Sequence, residues 1–376
     1  MDDRRFYPDQ APFLAKSIFR PDGSIKFDPI LSDQRYSFVV NLLGNSHWRE
    51  RITTVADFGC SDLSFYRVLR SLRFLKSVYL VDIDEELLKN NRHRAQPINN
   101  DFIQKRDTPF RVEVLRGSVD CFCDKMNNLD AFVAIELIEH LYPEELERLP
   151  YNVFHLIRPQ IAIFTTPNSD FNILFATLPA QKFRHDDHKF EWSREQFREW
   201  ADNLTERFPD YSVDVQGIGP APEGSEEDYG CCSQAAIFVR RPDSAVEINP
   251  QEIQEYNGGA KIQKYDIILE CDYPFDERSR EQKITDCAMY QINRMEHRRR
   301  MDKEDEYDSF RLEIPLERLV EEVSGEVSTT VEELEVLLKA KNLQIEEGTV
   351  IVVSDDEEYD EYQEEFGEFE DYEDYD

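Results

Sequence analysis

Two carboxylates and an imidazole stand together in the run Glu136-Leu137-Ile138-Glu139-His140. Spacing of i, i+3 and i+4 puts them on one side of a turn, and two acids that close repel unless a cation lies between them. A second group of candidate ligands follows in Phe183-Arg184-His185-Asp186-Asp187-His188-Lys189-Phe190-Glu191-Trp192. Together the runs could supply a mixed nitrogen and oxygen site for a divalent metal with open positions, with His185 and His188 competing for the fourth place. An isolated Glu-x-x-Glu-His run occurs on many exposed helix faces, so its weight depends on where the fold puts it. His47, His93, His155 and His297 read as surface or helix-packing residues.

Short β-branched runs that alternate with helical patterns must position these groups. Strands are expected at 53–58, 77–82, 112–115, 130–135 and 161–166, and helices around 62–72, 85–92 and 143–157, the last with Pro143 in its first turn. This alternation predicts an α/β fold with a doubly wound, mostly parallel sheet whose ligands sit at the C-terminal strand ends. A long loop over 167–192 leads to a helix capped by Ser193 with Gln196, and strands at 211–216 and 234–240 close the sheet with an antiparallel pair. Glu136 to His140 then falls directly after the fourth strand, where catalytic groups of such a fold belong.

The earlier strand ends carry a second chemistry. Asp57-Phe58-Gly59-Cys60-Ser61 follows the first strand with a single glycine, so the G-x-G-x-x-G cradle for a pyrophosphate is not satisfied. A nucleoside ligand without phosphates fits so sparse a turn better. Asp82, at the end of the second strand, stands where an acid accepts hydrogen bonds from ribose hydroxyls. Gly117-Ser118-Val119-Asp120 follows the third strand, where Ser118 could face a base edge and Val119 its ring. Read alone, an Asp or a Gly-Ser-Asp run is first of all a turn; their weight comes from their place in the series.

Composition bounds the partners. The chain of 376 residues carries 44 Lys+Arg against 79 Asp+Glu, a net charge of −35, which argues against generic coating of nucleic acid or of an anionic membrane. The excess is concentrated: 14 acids and no bases lie from Ser354 to Asp376, whereas the first 300 residues hold 50 acids and 39 bases. A small nucleic-acid ligand gripped at one point is therefore compatible with the body. Seven cysteines without paired C-x-x-C spacing read as reduced thiols, and no stretch approaches roughly 18 apolar residues. A soluble cytoplasmic monomer with no membrane or DNA partner is expected. The divisions are 1–26 as an N-terminal extension, 27–242 as the catalytic domain, 243–353 as a charged extension of unknown fold, and 354–376 as an acidic, aromatic, disordered tail. In that tail Tyr359, Tyr362, Phe366, Phe369, Tyr372 and Tyr375 recur at spacings that would also suit an amphipathic helix in a partner's groove.

From about Phe27 to Arg240 the chain resembles the S-adenosylmethionine-dependent small-RNA 3′-terminal 2′-O-methyltransferases, the HUA-enhancer family. The residues that carry the resemblance are Phe27-Asp28-Pro29-Ile30-Leu31 with Gln34-Arg35-Tyr36, Asp57-Phe58-Gly59-Cys60, Val81-Asp82-Ile83, Glu136-x-x-Glu139-His140, Thr165-Thr166-Pro167-Asn168 with Phe171-Asn172, and Asp187-His188-Lys189-Phe190-Glu191-Trp192. The resemblance implies the class I methyltransferase fold and S-adenosylmethionine as donor, contacted by Asp57, Gly59, Asp82, Ser118 and Val119. It implies one divalent metal, magnesium or manganese, on Glu136, Glu139, His140 and His188, and RNA contacts at Thr166, Pro167, Asn168 and Arg184. Ser61 stands where the family usually has a second glycine. Without room before Phe27 for double-strand RNA-binding modules, the chain looks like the compact animal type, which implies single-stranded RNA held by a Piwi or Argonaute protein.

In the expected mechanism a metal chelates the 2′ and 3′ hydroxyls of the last ribose, and His140 or Glu136 takes the proton. Only a chain terminus has that free diol. Two rivals use the same residues differently: a metal-dependent O-methyltransferase of catechol-like diols, distinguished by methylation of catechols but not RNA, and a non-catalytic scaffold, which tight donor binding would count against. Base methylation is disfavoured because no N-P-P-Y-like run follows the fourth strand.

Overall fold

The computed structural model describes residues 15–127, 129–176, 178–179, 182–242, 261–301 and 310–354. The expectations for 1–14, for 243–260 and for the acidic tail with its aromatic stripe lie outside the described residues. The chain divides into two compact units, Met1–Asp276 and Glu277–Asp376.

The first unit is built on eight strands: β1 (Thr54–Phe58), β2 (Ser77–Asp82), β3 (Phe110–Arg116), β4 (Ala131–Ile135), β5 (Ile161–Pro167), β6 (Tyr211–Pro220), β7 (Cys231–Arg240) and β8 (Asp266–Tyr273). Their order in the sheet is β8-β3-β2-β1-β4-β5-β7-β6. The five central strands are parallel, while β7 runs antiparallel to β5 and β6 antiparallel to β7, as the sequence predicts. Strands buried on both faces need apolar residues in succession, and period-two alternation divides them between two cores. Ala56, Phe58, Phe132, Ala134, Ala162 and Phe164 enter one core, whereas Val55, Ala131, Val133, Ile161 and Ile163 enter the other. The chain order reverses between β1 and β4, which opens the crevice at which doubly wound sheets bind ligands.

Local chemistry explains where the helices depart from their expected bounds. The helix expected over 62–72 is reduced to α2 (Tyr66–Leu69), since Ser61 and Leu63 hold φ of 48° and 63°, outside the helical region. α3 (Glu85–Asn91) begins at Asp84, whose carboxylate accepts from the Leu87 N–H at 3.0 Å. The pattern over 143–157 forms α4 (Pro143–Pro150) and then wider π-type turns over Tyr151–Ile157; Pro150 lacks the N–H that an α-helix needs there. α5 (Arg194–Arg207) carries the expected capping box, with the Gln196 N–H donating to Ser193 Oγ at 3.2 Å and the Ser193 N–H to Gln196 Oε1 at 3.0 Å. α1 (Leu31–Gly44) precedes the sheet.

One edge differs from the sequence reading. β8, expected within a separate C-terminal extension, pairs antiparallel with β3 from Asp266–Arg116 to Tyr273–Phe110, so the first unit continues to Asp276. Tyr265 locks this edge: its hydroxyl lies 2.8 Å from the Ser118 carbonyl and 2.7 Å from that of Cys121. Its ring occupies the space above Gly117, where a Cβ would lie 2.4 Å from the nearest ring carbon. Long-range pairing of this kind leaves little mark in local sequence.

The second unit is a three-stranded antiparallel sheet, ordered Phe310–Pro315, Thr349–Ser354, Gln344–Glu346, with helices α6 (Arg280–Met301), α7 (Leu316–Ser324) and α8 (Val331–Ala340). Ile284, Ile292, Leu316, Leu319, Leu334 and Leu338 form its own core. Thr330 caps α8, its hydroxyl accepting from the Glu333 N–H at 3.3 Å.

Gly117→Ala should destabilise the first unit by about 1–3 kcal/mol, because neither the β3 backbone nor the bonded Tyr265 ring can yield easily. Urea unfolding of the two proteins checks this, with Gly117→Ala plus Tyr265→Ala expected to recover less than additive loss.

Candidate functional site

The turn after β1 is shaped by backbone. Gly59 adopts φ of 75°, and the N–H groups of Gly59 and Cys60 both donate to the Val81 carbonyl, at 2.8 and 3.1 Å. A Cβ on Gly59 would lie 2.9 Å from Leu137 Cδ1, so the turn after β1 packs directly on the turn after β4. Asp82 fastens the neighbouring loops: Oδ2 accepts from the Ser61 N–H at 2.8 Å and Oδ1 from the Asp84 N–H at 2.9 Å. Ser61, where the resemblance leads one to expect glycine, keeps the left-handed conformation and uses its N–H on Asp82.

Asp57 lies below this turn, 2 % exposed, and its Oδ2 has no hydrogen-bond partner among the described residues. Burial, reinforced by the charge of Asp82, pushes its carboxyl up to about 8. A buried acid beside an open turn suits a ligand that brings positive charge or hydrogen-bond donors. Ser118, expected at the base, turns its hydroxyl to Asp120 at 2.6 Å, and Asp120 is held in turn by Arg148. Val119 is buried, with 8 % exposure, and belongs to the core that holds Phe58 and Tyr265.

The turn after β4 holds the acidic groups. Glu139 is fully buried; Oε2 accepts from the Thr166 hydroxyl at 3.0 Å, and Oε1 has no partner among the described residues. Burial, and then the charge of Glu136, raise its carboxyl well above the usual range. Ligand atoms of Glu139, His140 and His188 come within 4.8 Å of one another. Burial holds the His140 imidazole below its ordinary value, with Asp187 opposing and His188 adding to that effect. An orphaned buried carboxylate oxygen next to two imidazoles is a donor set that fits a divalent cation.

Glu136, expected as the fourth ligand, stands outside that three-residue cluster. Its φ is 50°, and its carboxylate accepts from Thr165 Oγ1 at 3.0 Å and Ser233 Oγ at 3.3 Å, with Arg35 3.5 Å away. The Arg35 guanidinium thus supplies the positive charge on the side of Glu136.

The long loop after β5 is tied down residue by residue. The Lys189 N–H donates to the Glu139 carbonyl at 2.7 Å, bringing His188 to His140 with ring centroids 4.8 Å apart. His188 Nδ1 pairs with Glu191 Oε1 at 2.6 Å, which leaves Nε2 as the nitrogen available to a ligand. Burial works to raise Glu191, yet hydrogen bonds from His188, Asn172 and the Arg184 backbone bring it below its usual value. His185 is exposed and pairs with Asp187. The histidine that the resemblance selected is therefore the one the fold buries.

Arg184, Thr166, Pro167 and Asn168, expected at RNA, are placed within the protein framework. The Arg184 guanidinium donates to Asn172 Oδ1 at 2.5 Å, to the Cys232 carbonyl at 2.8 Å and to the Asn168 carbonyl, and lies 5.1 Å from the Phe175 ring centre. Asn168 Nδ2 donates to the Tyr229 and Cys231 carbonyls at 3.0 and 2.8 Å. Thr166, Pro167 and Asn168 are buried. Sequence reasoning assigned no role to Arg35, Thr165, Asn172, Asp187, Glu191 or Ser233. For Glu191 the signal was its spacing of three from His188; for Ser233 there was none, since β7 meets the site only through pairing with β5.

Comparison with known proteins follows the same line. A family model described as the HEN1 methyltransferase C-terminal domain matches residues 281–354, the segment whose fold the sequence left unassigned. A Drosophila melanogaster protein named small RNA 2′-O-methyltransferase is 33% identical over 354 residues, covering 92% of this chain and 90% of that one. A Gallus gallus protein of the same name is 38% identical over 219 residues, covering 58% of this chain and 56% of its own length. Among solved structures, that of small RNA methyltransferase HEN1 superposes with a TM-score of 0.52 at 28% identity, over 71% of this chain and 30% of the other.

Two measurements test the geometry. The folded chain keeps the Asp57 proton up to about pH 8, whereas an unfolded aspartate loses it near 3.8, so this residue's contribution to stability falls as pH rises between those values. Urea unfolding should show that fall reduced in Asp57→Asn between pH 5 and 8. Arg184→Ala should weaken Mn²⁺ binding by about 10- to 100-fold, read by calorimetry, because it frees Asn172, whose amide holds Glu191 behind His188.

Proposed function

Because this chain belongs to the family of small RNA 2′-O-methyltransferases, we propose that it transfers a methyl group from S-adenosylmethionine to the 2′-hydroxyl of the 3′-terminal ribose of small single-stranded RNAs. The observation that carries the reading is the contact between the two turns: the Gly59 turn, with Asp57 and Asp82, packs on Leu137, within the run that bears Glu139 and His140. A donor at the first turn and a ribose at the second would share one crevice, so that reactants meet at contact distance.

The chain's residues divide the work. Asp57 offers a buried carboxyl group, which the positive charge of the donor would help to ionise, and Asp82 holds the loops that border the nucleoside. Thr166 fixes Glu139, and Glu191 fixes His188. These two with His140 would hold magnesium or manganese, which when bound supplies Lewis-acid polarisation of hydroxyl oxygens. The bond between the 2′ oxygen and the methyl carbon forms as the sulfur–methyl bond breaks, and the hydroxyl proton leaves to Glu136, since the His140 ring would be committed to the metal and to Asp187. The products are 2′-O-methylated RNA and S-adenosylhomocysteine.

Selectivity for a terminus follows from two vicinal hydroxyls, present only on the last ribose. The acidic balance of the chain fits RNAs already held by Piwi or Argonaute proteins, such as Piwi-interacting and small interfering RNAs, whose partner neutralises most phosphates. Methylation there would protect 3′ ends in cytoplasmic RNA silencing.

RNAs ending in 2′-OH/3′-OH, 3′-deoxy and 3′-phosphate separate the possibilities. Only the first should take up a labelled methyl group from the donor; equal methylation of all three, or transfer to catechol in place of RNA, overturns the reading. Glu139→Ala and His188→Ala should each lower turnover by more than about 100-fold while donor affinity, measured by calorimetry, stays within about threefold.

A further inference from the structure

A cavity of about 450 Å³ adjoins the His188 side of the site. Its walls include Ile173, Phe175, Phe183 and Lys182, together with Asn172 and Glu191. Glu191 belongs to both places, since the carboxylate that lines the cavity is the one that receives His188 Nδ1. Ile173 is 71% exposed and Phe183 44%, although both are large apolar side chains. Exposed apolar surface next to a catalytic cluster is characteristic of a ligand wall.

Of the polar side chains of the wall, Asn172 and Glu191 are already committed, which leaves Ser169 and Lys182. Asn172 Nδ2 donates to Glu191 Oε2 at 2.6 Å, and its Oδ1 accepts from Arg184 Nε at 2.5 Å. Glu191 Oε1 takes the Arg184 N–H and His188. With these partners satisfied, the cavity offers a visiting ring apolar faces and a lysine charge, and few groups to read its edge.

We infer that this cavity receives the base of the 3′-terminal nucleotide, held through its faces by Phe183 and Ile173 with Lys182 attracting the adjoining phosphate. This rests on the RNA reading above. A ribose at Glu139, His140 and His188 is one side chain, Glu191, away from the cavity, which makes its own base the nearest occupant. Stacking accepts any base because every base has a π face, whereas edge recognition selects among them. The site therefore requires a base at the terminus and tolerates all four.

The test uses the full chain and RNAs that end in A, C, G or U, or in an abasic nucleotide that keeps both hydroxyls. The four natural ends should have KM values within about threefold of one another, and the abasic end a KM roughly tenfold higher with kcat little changed. Phe183→Ala and Ile173→Ala, both at exposed positions, should raise KM for the natural ends and leave the abasic end unaffected. RNA binding followed by fluorescence anisotropy in the presence of chelator should show the same pattern, independent of metal. Equal KM for abasic and natural ends, equal loss on both in the variants, or a larger loss from an abasic penultimate nucleotide overturns the inference. Failure to methylate any RNA overturns the functional reading instead.

Discussion

The structure depends on how a carboxylate can be buried completely and left incomplete. Glu139 has no exposed surface, one oxygen on Thr166 and one without a partner among the described residues, with a second carboxylate, Glu136, close enough to raise it further. Burying such a group in ionised form costs several kcal/mol unless positive charge arrives. The surrounding fold is arranged to bring it from two directions. Arg35 of α1 approaches Glu136, and the imidazoles of His140 and His188 converge on Glu139. A cation there would replace a repulsive arrangement with a coordinated one.

Holding that arrangement falls to the segment after β5. A loop this long ordinarily gains freedom with length, yet this one is joined to the turn after β4 and to β7 by backbone and side-chain bonds. Arg184 is central to it, gathering Asn168, Asn172 and Cys232 with one guanidinium, and the planar fork of arginine suits several fixed acceptors at once. Because Asn172 and Glu191 both bond within this network, the ligand His188 and the wall of the adjoining cavity are set by the same contacts. Positioning and recognition are thus not separable in this loop.

The charge of −35 bears less on the site than its size suggests. The acid excess is concentrated after residue 300, while the first unit balances its charges through pairs such as Arg35–Glu136, Arg148–Asp120 and Arg158–Asp210. The second unit has an independent core and matches its own family model, which accounts for why periodicity before residue 242 says nothing about it. Its sheet pairs Phe310–Pro315 with Thr349–Ser354 across the two helices α7 and α8, a separation that local pattern does not encode.

What the amino-acid sequence determined by itself was everything carried by short-range pattern: the five parallel strands, the capping box at Ser193, the glycine turn at Gly59, and the residue types of the ligand cluster. Period-two apolar runs and turn residues encode these within a few positions. Tertiary structure alone decided which members of the cluster meet. It drew Glu139, His140 and His188 into one group with Glu136 beside it, turned Ser118 toward Asp120, drew Arg184 and Asn168 into the framework, and brought β8 to the edge of the sheet. Those outcomes depend on side-chain direction and on pairing between residues as far apart as Ser233 and Glu136, and such distances are set only when the whole core closes.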